Sequence, residues 1–147
     1  MAGNQLIPQG TVNRLVSSVT VNNNSALNIT PPFMGRPMIR FARDGQAVAQ
    51  LPTATGVVNS PEPYLMCTIS IALLKTQSLA ASWEDVLKTN AILGEITVRP
   101  DVTEGIGAFD VTNASLESVG ELSFDGSSAD YGIVIRGVYP VNSGLFP

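Results

Sequence analysis

Residues 64–74 carry the strongest structural signal in the chain and read YLMCTISIALL. Apolar side chains recur there at every second position, so that one face holds Leu65, Cys67, Ile69, Ile71 and Leu73. A two-residue period is that of a β-strand. The opposite face carries mostly neutral side chains rather than charges, and we therefore expect both faces of this strand to be covered.

Shorter runs of the same period lie on both sides of this strand and are separated by Gly, Pro, Asn and Asp. They predict strands over 12–21, 27–30, 37–42, 95–99, 109–124 (one long strand, or two broken near Gly120) and 131–138. Asn and Asp-Gly clusters predict turns at 22–25, 43–46 and 125–128. The sparsely charged ranges 47–51 and 54–58 predict an extended hairpin arm within residues 44–63.

A single helix is predicted over Ser78–Thr89. Leu79, Trp83, Val86 and Leu87 fall on one stripe of a 3.6-residue period. Ser78 suits the N-cap, and Lys88 lies near the C-terminal end, where a cation complements the helix dipole. Seven to nine strands and one short helix predict a mainly β fold, an antiparallel sandwich or barrel with the helix over one opening.

The composition points to a neutral surface. The 147 residues make one domain, residues 1–147, whose first segment, 1–14, is polar and forms an arm. Hydrophobic residues make up 44% and charged residues only 14%, against roughly 25% in an ordinary soluble domain. Such a surface is an aggregation risk or an assembly interface. The net charge of −4 argues against a protein that grips nucleic acid.

Catalytic and metal chemistry find little support in the residue types. The chain has no histidine, which removes the commonest general base and the commonest zinc ligand. Its one cysteine, Cys67, shares the apolar face of its strand and is predicted to be buried, as is Trp83. Glu84 and Asp85 are adjacent on the helix and are predicted to be solvated. We expect no enzyme activity, no metal and no cofactor.

Targeting signals are also missing from the pattern. The first residues show no basic region followed by an apolar one, and the longest apolar runs are far shorter than the roughly 20 residues of a membrane helix. We expect a soluble product of the cytoplasm that has no membrane partner.

Charge is segregated along the chain. Residues 1–75 hold five basic and two acidic residues, a net charge of +3, and residues 76–147 hold three basic and ten acidic residues, a net charge of −7. If the two halves face opposite ways, the basic surface of one copy can meet the acidic surface of the next in a head-to-tail contact. The alternative, in which the fold scatters both halves over every face, stays open.

Four stretches carry a family resemblance. Residues 13–16 (NRLV), 59–64 (NSPEPY), 74–77 (LKTQ) at the start of the helix, and 137–143 (GVYPVNS) are similar to tail tube proteins of contractile-tailed bacteriophages. The resemblance implies a β-sandwich or barrel with one helix that forms six-fold rings, and rings that stack into the inner tail tube. Its implied function is a passive channel for DNA ejection, in a virion tail assembled in the bacterial host cytoplasm.

The resemblance also implies partners and contact residues. The partners are copies of the chain, the tail sheath protein, the baseplate and tail terminator proteins, and DNA that passes without specific binding. The 1–14 arm and the 44–63 hairpin are expected to contact neighbouring subunits through Arg14, Arg40, Arg43, Asp44, Pro52, Val57 and Glu62. An acidic wall repels phosphates and lets DNA slide. Acids expected at the bore or the ring faces are Glu95, Asp101, Glu104, Asp110, Glu117, Glu121, Asp125 and Asp130.

Other classes of protein fit the same sequence. One is another ring-forming structural β-protein, such as a tail terminator, a head decoration protein or a secretion tube. Another is a monomeric β-sandwich that binds a ligand, although aromatic residues make up only 6% of the chain and offer few binding platforms.

Overall fold

The computed structural model describes residues 6–10, 16–100 and 106–146. Arg14, Asp101, Glu104 and most of the 1–14 arm, which the sequence singled out, lie outside these ranges. Within them, the prediction of a mainly β, antiparallel fold with one helix is confirmed.

Eight strands and one α-helix make up the described part of the chain. In order they are β1 (Ser18–Val21), β2 (Met34–Arg43), β3 (Val48–Pro52), β4 (Val57–Pro61), β5 (Tyr64–Leu74), α1 (Ser78–Thr89), β6 (Ile92–Arg99), β7 (Phe109–Val119) and β8 (Asp130–Pro140). Two short 3₁₀ turns, Ser25–Leu27 and Pro31–Phe33, lie between β1 and β2.

Six strands form one antiparallel sheet in the order β1-β6-β7-β8-β5-β2, and β3 and β4 form a separate two-stranded sheet. The large sheet curls into a half-barrel. β5 and β8 pair along their whole length, from Tyr64 opposite Pro140 to Leu74 opposite Asp130. The strand with the clearest sequence pattern is therefore an interior strand, next to the edge strand β2, and both of its edges are bonded.

The concave face of the half-barrel holds the hydrophobic core. Cys67, Ile69 and Leu73 of β5 are completely buried there, together with the corresponding residues of β6, β7 and β8. Helix α1 packs over one end, and its Trp83 is also completely buried. The predicted burial of Cys67 and Trp83 is confirmed. Leu87, predicted on the same helical stripe, is 39% exposed, because the stripe that contacts the sheet is centred on Leu79, Ala80 and Trp83.

The helix spans the predicted range, but its N-cap lies one residue before the predicted position. Ser78 is the first helical residue, and Gln77 occupies the N-cap position, with extended backbone angles and no side-chain hydrogen bond. Glu84 is not simply solvated as predicted, because its carboxylate accepts a hydrogen bond from the Tyr131 hydroxyl on β8.

The predicted strand at 27–30 is wrong. Residues 25–27 form a 3₁₀ turn, since the Asn24 side chain accepts a hydrogen bond from the backbone N–H of Ala26 at 3.1 Å. Only Ile29 continues as a bridge, exchanging two backbone hydrogen bonds with Val19 of β1 at 3.0 and 2.8 Å. Asparagine side chains thus compete with the ladder and end it after one residue pair.

Several further boundaries differ from prediction. β2 starts at Met34 rather than at residue 37, β6 starts at Ile92 rather than at residue 95, and the described part of the predicted strand 12–21 is strand only from Ser18. β7 ends at Val119, and residues 120–129 form a loop rather than more strand. β4 starts at Val57 rather than at residue 54, because Thr53–Gly56 makes the turn, with a 2.8 Å bond from Thr53 N–H to the Gly56 carbonyl.

The turn at 43–46 is present, with Gly45 at φ +87°, but it does not pair β2 with the next strand. β2 pairs with β5 instead. The turn therefore leads the chain out of the large sheet and into the small one.

Candidate assembly interface

The strand directions give the half-barrel two distinct ends. β5 runs from Tyr64 toward Leu74, and α1 follows directly, so the end that holds α1 and the 120–129 loop is called the helix end. The opposite end, called the open end, holds the starts of β5 and β7, the ends of β2, β6 and β8, and the β3–β4 hairpin. The candidate contact surfaces lie at these ends and along one edge of the sheet.

The hairpin arm, residues 44–63, stands off the open end. Its apolar side chains Val48, Leu51, Val57 and Val58 are 40–56% exposed. At its base, the Asn142 side-chain amide donates to the carbonyls of Ala47 and Glu62 at 2.9 and 2.7 Å. A groove of about 540 Å³ separates the base of the arm from the sheet. The arm is fixed at its base and offers apolar surface that its own body does not cover.

The two edges of the large sheet are unequal. The β1 edge is sealed by the bridge to Ile29 and by the Asn28 side chain, which accepts from the Val21 N–H at 2.9 Å. β2, at the other edge, has ten residues and pairs on one side only among the described residues. An open edge strand is a template for pairing with another chain.

Arg43, one of the predicted contact residues, lies over a cluster of three aromatic rings at the open end. Its guanidinium carbon is 5.5 Å from the centroid of Tyr139 and 5.8 Å from the centroids of Phe41 and Phe109. Phe41 and Phe109 are stacked with centroids 5.1 Å apart. A cation over aromatic faces is attracted by their quadrupoles. The sequence predicts neither this cluster nor its cation, because the three rings come from β2, β7 and β8.

The other predicted contact residues are dispersed. Arg40 is exposed on β2 opposite Ser70, and Pro52 and Val57 form the pair nearest the tip of the hairpin arm. Glu62 lies at the base of the arm, where its carbonyl accepts from Asn142. Asp44 is 3.0 Å from Arg136 in an ion pair within the chain.

The sequence does not predict Arg136 as a site residue, but on the convex face of the sheet its side chain joins three elements of the fold. It donates to Thr68 at 2.9 Å and to Asp44 at 3.0 Å, and Glu117 lies 3.9 Å away. These partners come from β5, the hairpin base and β7, and only the strand register brings them together. Its one sequence signal is that it is the single basic residue of β8.

Those predicted acids that lie in the described ranges are spread over β6, β7, the start of β8 and the loop at the helix end. Asp110 and Glu117 lie on β7, where Asp110 accepts from the Thr97 hydroxyl at 2.9 Å. Glu95 is exposed on β6, and Glu121 and Asp125 lie in the loop at the helix end. Asp130 begins β8 at that same end.

Few side chains in the described ranges have an arrangement that would support catalysis or metal binding. No group of three or more His, Cys, Asp and Glu side chains is placed to hold a metal among those residues. Burial raises the pKa of the Cys67 thiol, which disfavours the reactive thiolate. Burial and the neighbouring Glu84 carboxylate also raise the pKa of the Tyr131 hydroxyl. These shifts come from core packing and do not create a nucleophile.

Comparisons with known proteins identify two structural neighbours. One is a chain from the structure described as the virion of a native gene transfer agent particle. It has a TM-score of 0.53 and 10% identity, and the match covers 87% of this chain and 95% of that one. The other is from the cap that terminates the tube of an anti-feeding prophage, with a TM-score of 0.50, 16% identity and coverage of 94% and 97%.

Neither a family model nor a curated protein matches the sequence. At these identities the two structural matches show a shared fold, which this chain has over nearly its full length. In the described ranges, no helix has both the length and the apolar character needed to span a membrane.

Proposed function

We propose that this chain is a structural subunit of a phage-tail-like particle, in which six-fold rings stack into the inner tube of a contractile tail. Its proposed role is that of a passive channel for DNA, without catalysis. The observation that carries the proposal is the hairpin arm, whose exposed apolar side chains are held away from the body that could bury them. The fold, shared with chains of a virion and of a tube cap, supports it.

Ring formation gives the open edge of the sheet a partner. β2 carries ten residues of backbone whose outer side has no strand neighbour in the described ranges. Pairing that side with a neighbouring subunit satisfies the backbone groups and removes an aggregation site. Because the β1 edge is sealed by Ile29, the neighbouring strand would come from another element, and the hairpin arm is the nearest candidate.

The charge of the chain suits a channel through which DNA slides. Phosphate binding requires uncompensated cations. Arg136, on the convex face, already has Asp44 and Glu117 as partners, and the chain as a whole has a net charge of −4. We expect the bore to present acids from the set that includes Glu95, Asp110, Glu117 and Glu121. The further proposed partners are the sheath, baseplate and terminator proteins, and the proposed location is the virion tail, assembled in the host cytoplasm.

A second candidate function is that of a ring that terminates a tube. The match to a tube-terminating cap, which covers 94% of this chain, favours it. A terminator would form rings and bind the end of a tube, but its rings would not stack on one another.

Negative-stain electron microscopy of the purified, concentrated protein separates these functions. Tubes support the tube subunit, isolated rings support the terminator, and single particles under every ionic condition contradict both. A double variant, Leu51→Ser with Val58→Ser, tests the arm. These two residues are cross-strand partners, 51% and 52% exposed, so their loss should leave the melting curve unchanged and prevent assembly.

The matched control keeps the same two positions apolar. Leu51→Met with Val58→Ile should assemble as the wild type does, because exposed apolar area is retained. Normal assembly of the serine variant would show that the arm is not an interface.

A further inference from the structure

The helix end displays one aromatic side chain outside the core. Phe124, in the 120–129 loop, is 92% exposed, more than any other large hydrophobic residue of the described ranges. A single exposed apolar residue does not by itself mark a contact site, so a contact here also needs a loop that holds Phe124 and a surface that could receive it.

Hydrogen bonds hold the loop around Phe124 in one shape. The Oδ1 atom of Asp125 accepts from the Ser123 hydroxyl at 2.7 Å, from the Ser127 N–H at 2.9 Å and from the Ser127 hydroxyl at 2.6 Å. The Lys75 ammonium donates to the Ser123 carbonyl. Phe124 is thus presented on an ordered turn, and binding through it would require little further ordering.

The carboxylate beside Phe124 keeps its charge. The hydrogen bonds from Ser127 and Ser123 hold the pKa of Asp125 well below its ordinary value of 3.8. All three hydrogen bonds end on Oδ1. Oδ2 therefore accepts none of these hydrogen bonds and can accept one from another molecule. The loop therefore presents an apolar ring and a carboxylate side by side.

The open end has a cavity of matching character. It encloses about 350 Å³ and is lined by Ile39, Phe41, Val98, Ile106 and Phe109. Arg43 and Arg99, both exposed, also line it, and neither forms an ion pair with an acid of the described ranges. Among the described residues, apolar side chains and two arginines line the cavity, and this combination is the complement of Phe124 and Asp125.

We propose that Phe124 of one copy inserts into the open-end cavity of the next copy, with the Asp125 carboxylate meeting Arg43 and Arg99. The two halves of this contact lie at opposite ends of the half-barrel. The contact is therefore head-to-tail and propagates along a stack instead of closing a two-fold dimer. It rests on the proposed function, and it names the residues that join one ring to the next.

The first test replaces the phenyl ring. Phe124→Ser should leave the melting curve and ring closure unchanged, and should raise the concentration needed for tubes about tenfold or more. Phe124→Leu, which keeps an apolar side chain, should assemble at nearly the wild-type concentration. Arg43→Glu should also prevent stacking, because it places a like charge opposite Asp125, whereas Arg43→Lys should retain it.

The second test traps the contact with cysteines. Cys67 is completely buried, so it does not compete with an introduced surface thiol. The Ser127→Cys and Ile106→Cys proteins, both of which keep Phe124, should form a covalent dimer with one chain of each kind when they are mixed and mildly oxidised. Each protein alone should give little or none, since a head-to-tail contact pairs different residues.

The outcomes distinguish this inference from the function on which it rests. If wild-type protein forms no tubes, the proposed function fails, and the stacking contact fails with it. If wild-type tubes form, and the Phe124→Ser protein makes them at the same concentration or the mixed cysteine dimer is absent, the stacking contact is wrong while the proposed function stands.

Discussion

Adding one methyl group at Gly137 should destabilise the fold, because β7 bulges against β8 at that point. The β7–β8 register shifts between Thr112 and Ser115, and Asn113 in the bulge has φ +50°. A Cβ atom on Gly137 would lie 2.3 Å from Val111 Cγ1, 3.2 Å from the Thr112 carbonyl oxygen and 3.3 Å from Ala114 Cα. Carbon atoms in contact normally lie about 3.5–4.0 Å apart.

The atoms around Gly137 determine how much unfolding free energy the added methyl group would cost. Val111 is completely buried, and its β-branched side chain has few rotamers with which to move away. The other two neighbours are backbone atoms, which move only if the bulge moves. Overpacking of this kind costs about 1–3 kcal/mol, and we expect Gly137→Ala to lose that amount of unfolding free energy.

Gly132 supplies a control in the same strand. A Cβ atom built on it meets nothing within 4 Å. Gly132→Ala should therefore be neutral or more stable by about 0.4–1 kcal/mol, because alanine reduces the entropy of the unfolded chain. The paired comparison separates crowding at the bulge from a general effect of replacing glycine in β8.

Urea unfolding at concentrations below assembly provides the assay. Trp83 is the only tryptophan of the chain and is fully buried, so its fluorescence reports loss of the core. For a urea slope of about 1–3 kcal/mol/M, the Gly137→Ala midpoint should fall by about 1 M. Equal midpoints for the two variants would refute the close approach of β7 to Gly137.

Two further predictions concern titratable groups of the core. Cys67 should not react with a thiol reagent in the native protein, because burial blocks access to the thiol and raises its pKa. In denaturant the same reagent should detect one thiol per chain. Rapid labelling of the native protein would contradict the core position of β5. The pKa of the Tyr131 hydroxyl is raised above its ordinary value of 10.0, so this hydroxyl ionises in the unfolded chain before it ionises in the folded one. Its contribution to the free energy of unfolding is therefore complete below about pH 10 and is lost as the pH rises further. The urea midpoint should therefore decrease less between pH 8 and pH 11 in Tyr131→Phe than in the wild type. An equal decrease in the two proteins would exclude this linkage.

The sequence predicts those elements of the fold whose signal is local. β5 shows an uninterrupted two-residue period over eleven residues, and α1 shows a 3.6-residue stripe, so both are found over the predicted range. The short segment at 27–30 alternates equally well but forms a 3₁₀ turn and a single bridge. There the side chains of Asn24 and Asn28 outcompete the ladder, and alternation over four residues is too weak to reveal it.

Pairing order and site geometry depend on contacts between distant residues. Arg136 meets partners 68 and 92 residues away in sequence, and the aromatic cluster under Arg43 combines three strands. A local sequence pattern does not predict which residues of distant strands lie opposite one another. Phe124 lies in a loop without periodicity, so the sequence predicts neither its exposure nor the cavity at the other end of the molecule.

The sealing of one sheet edge by Ile29 also bears on the life of the subunit before assembly. A sheet with two free borders invites unlimited edgewise growth into fibres. Among the described strands of the large sheet, only β2 keeps a free border, so a neighbour that pairs with β2 leaves no further border of that sheet open. Edgewise growth of the large sheets of free subunits into a continuous fibre is thereby limited before assembly.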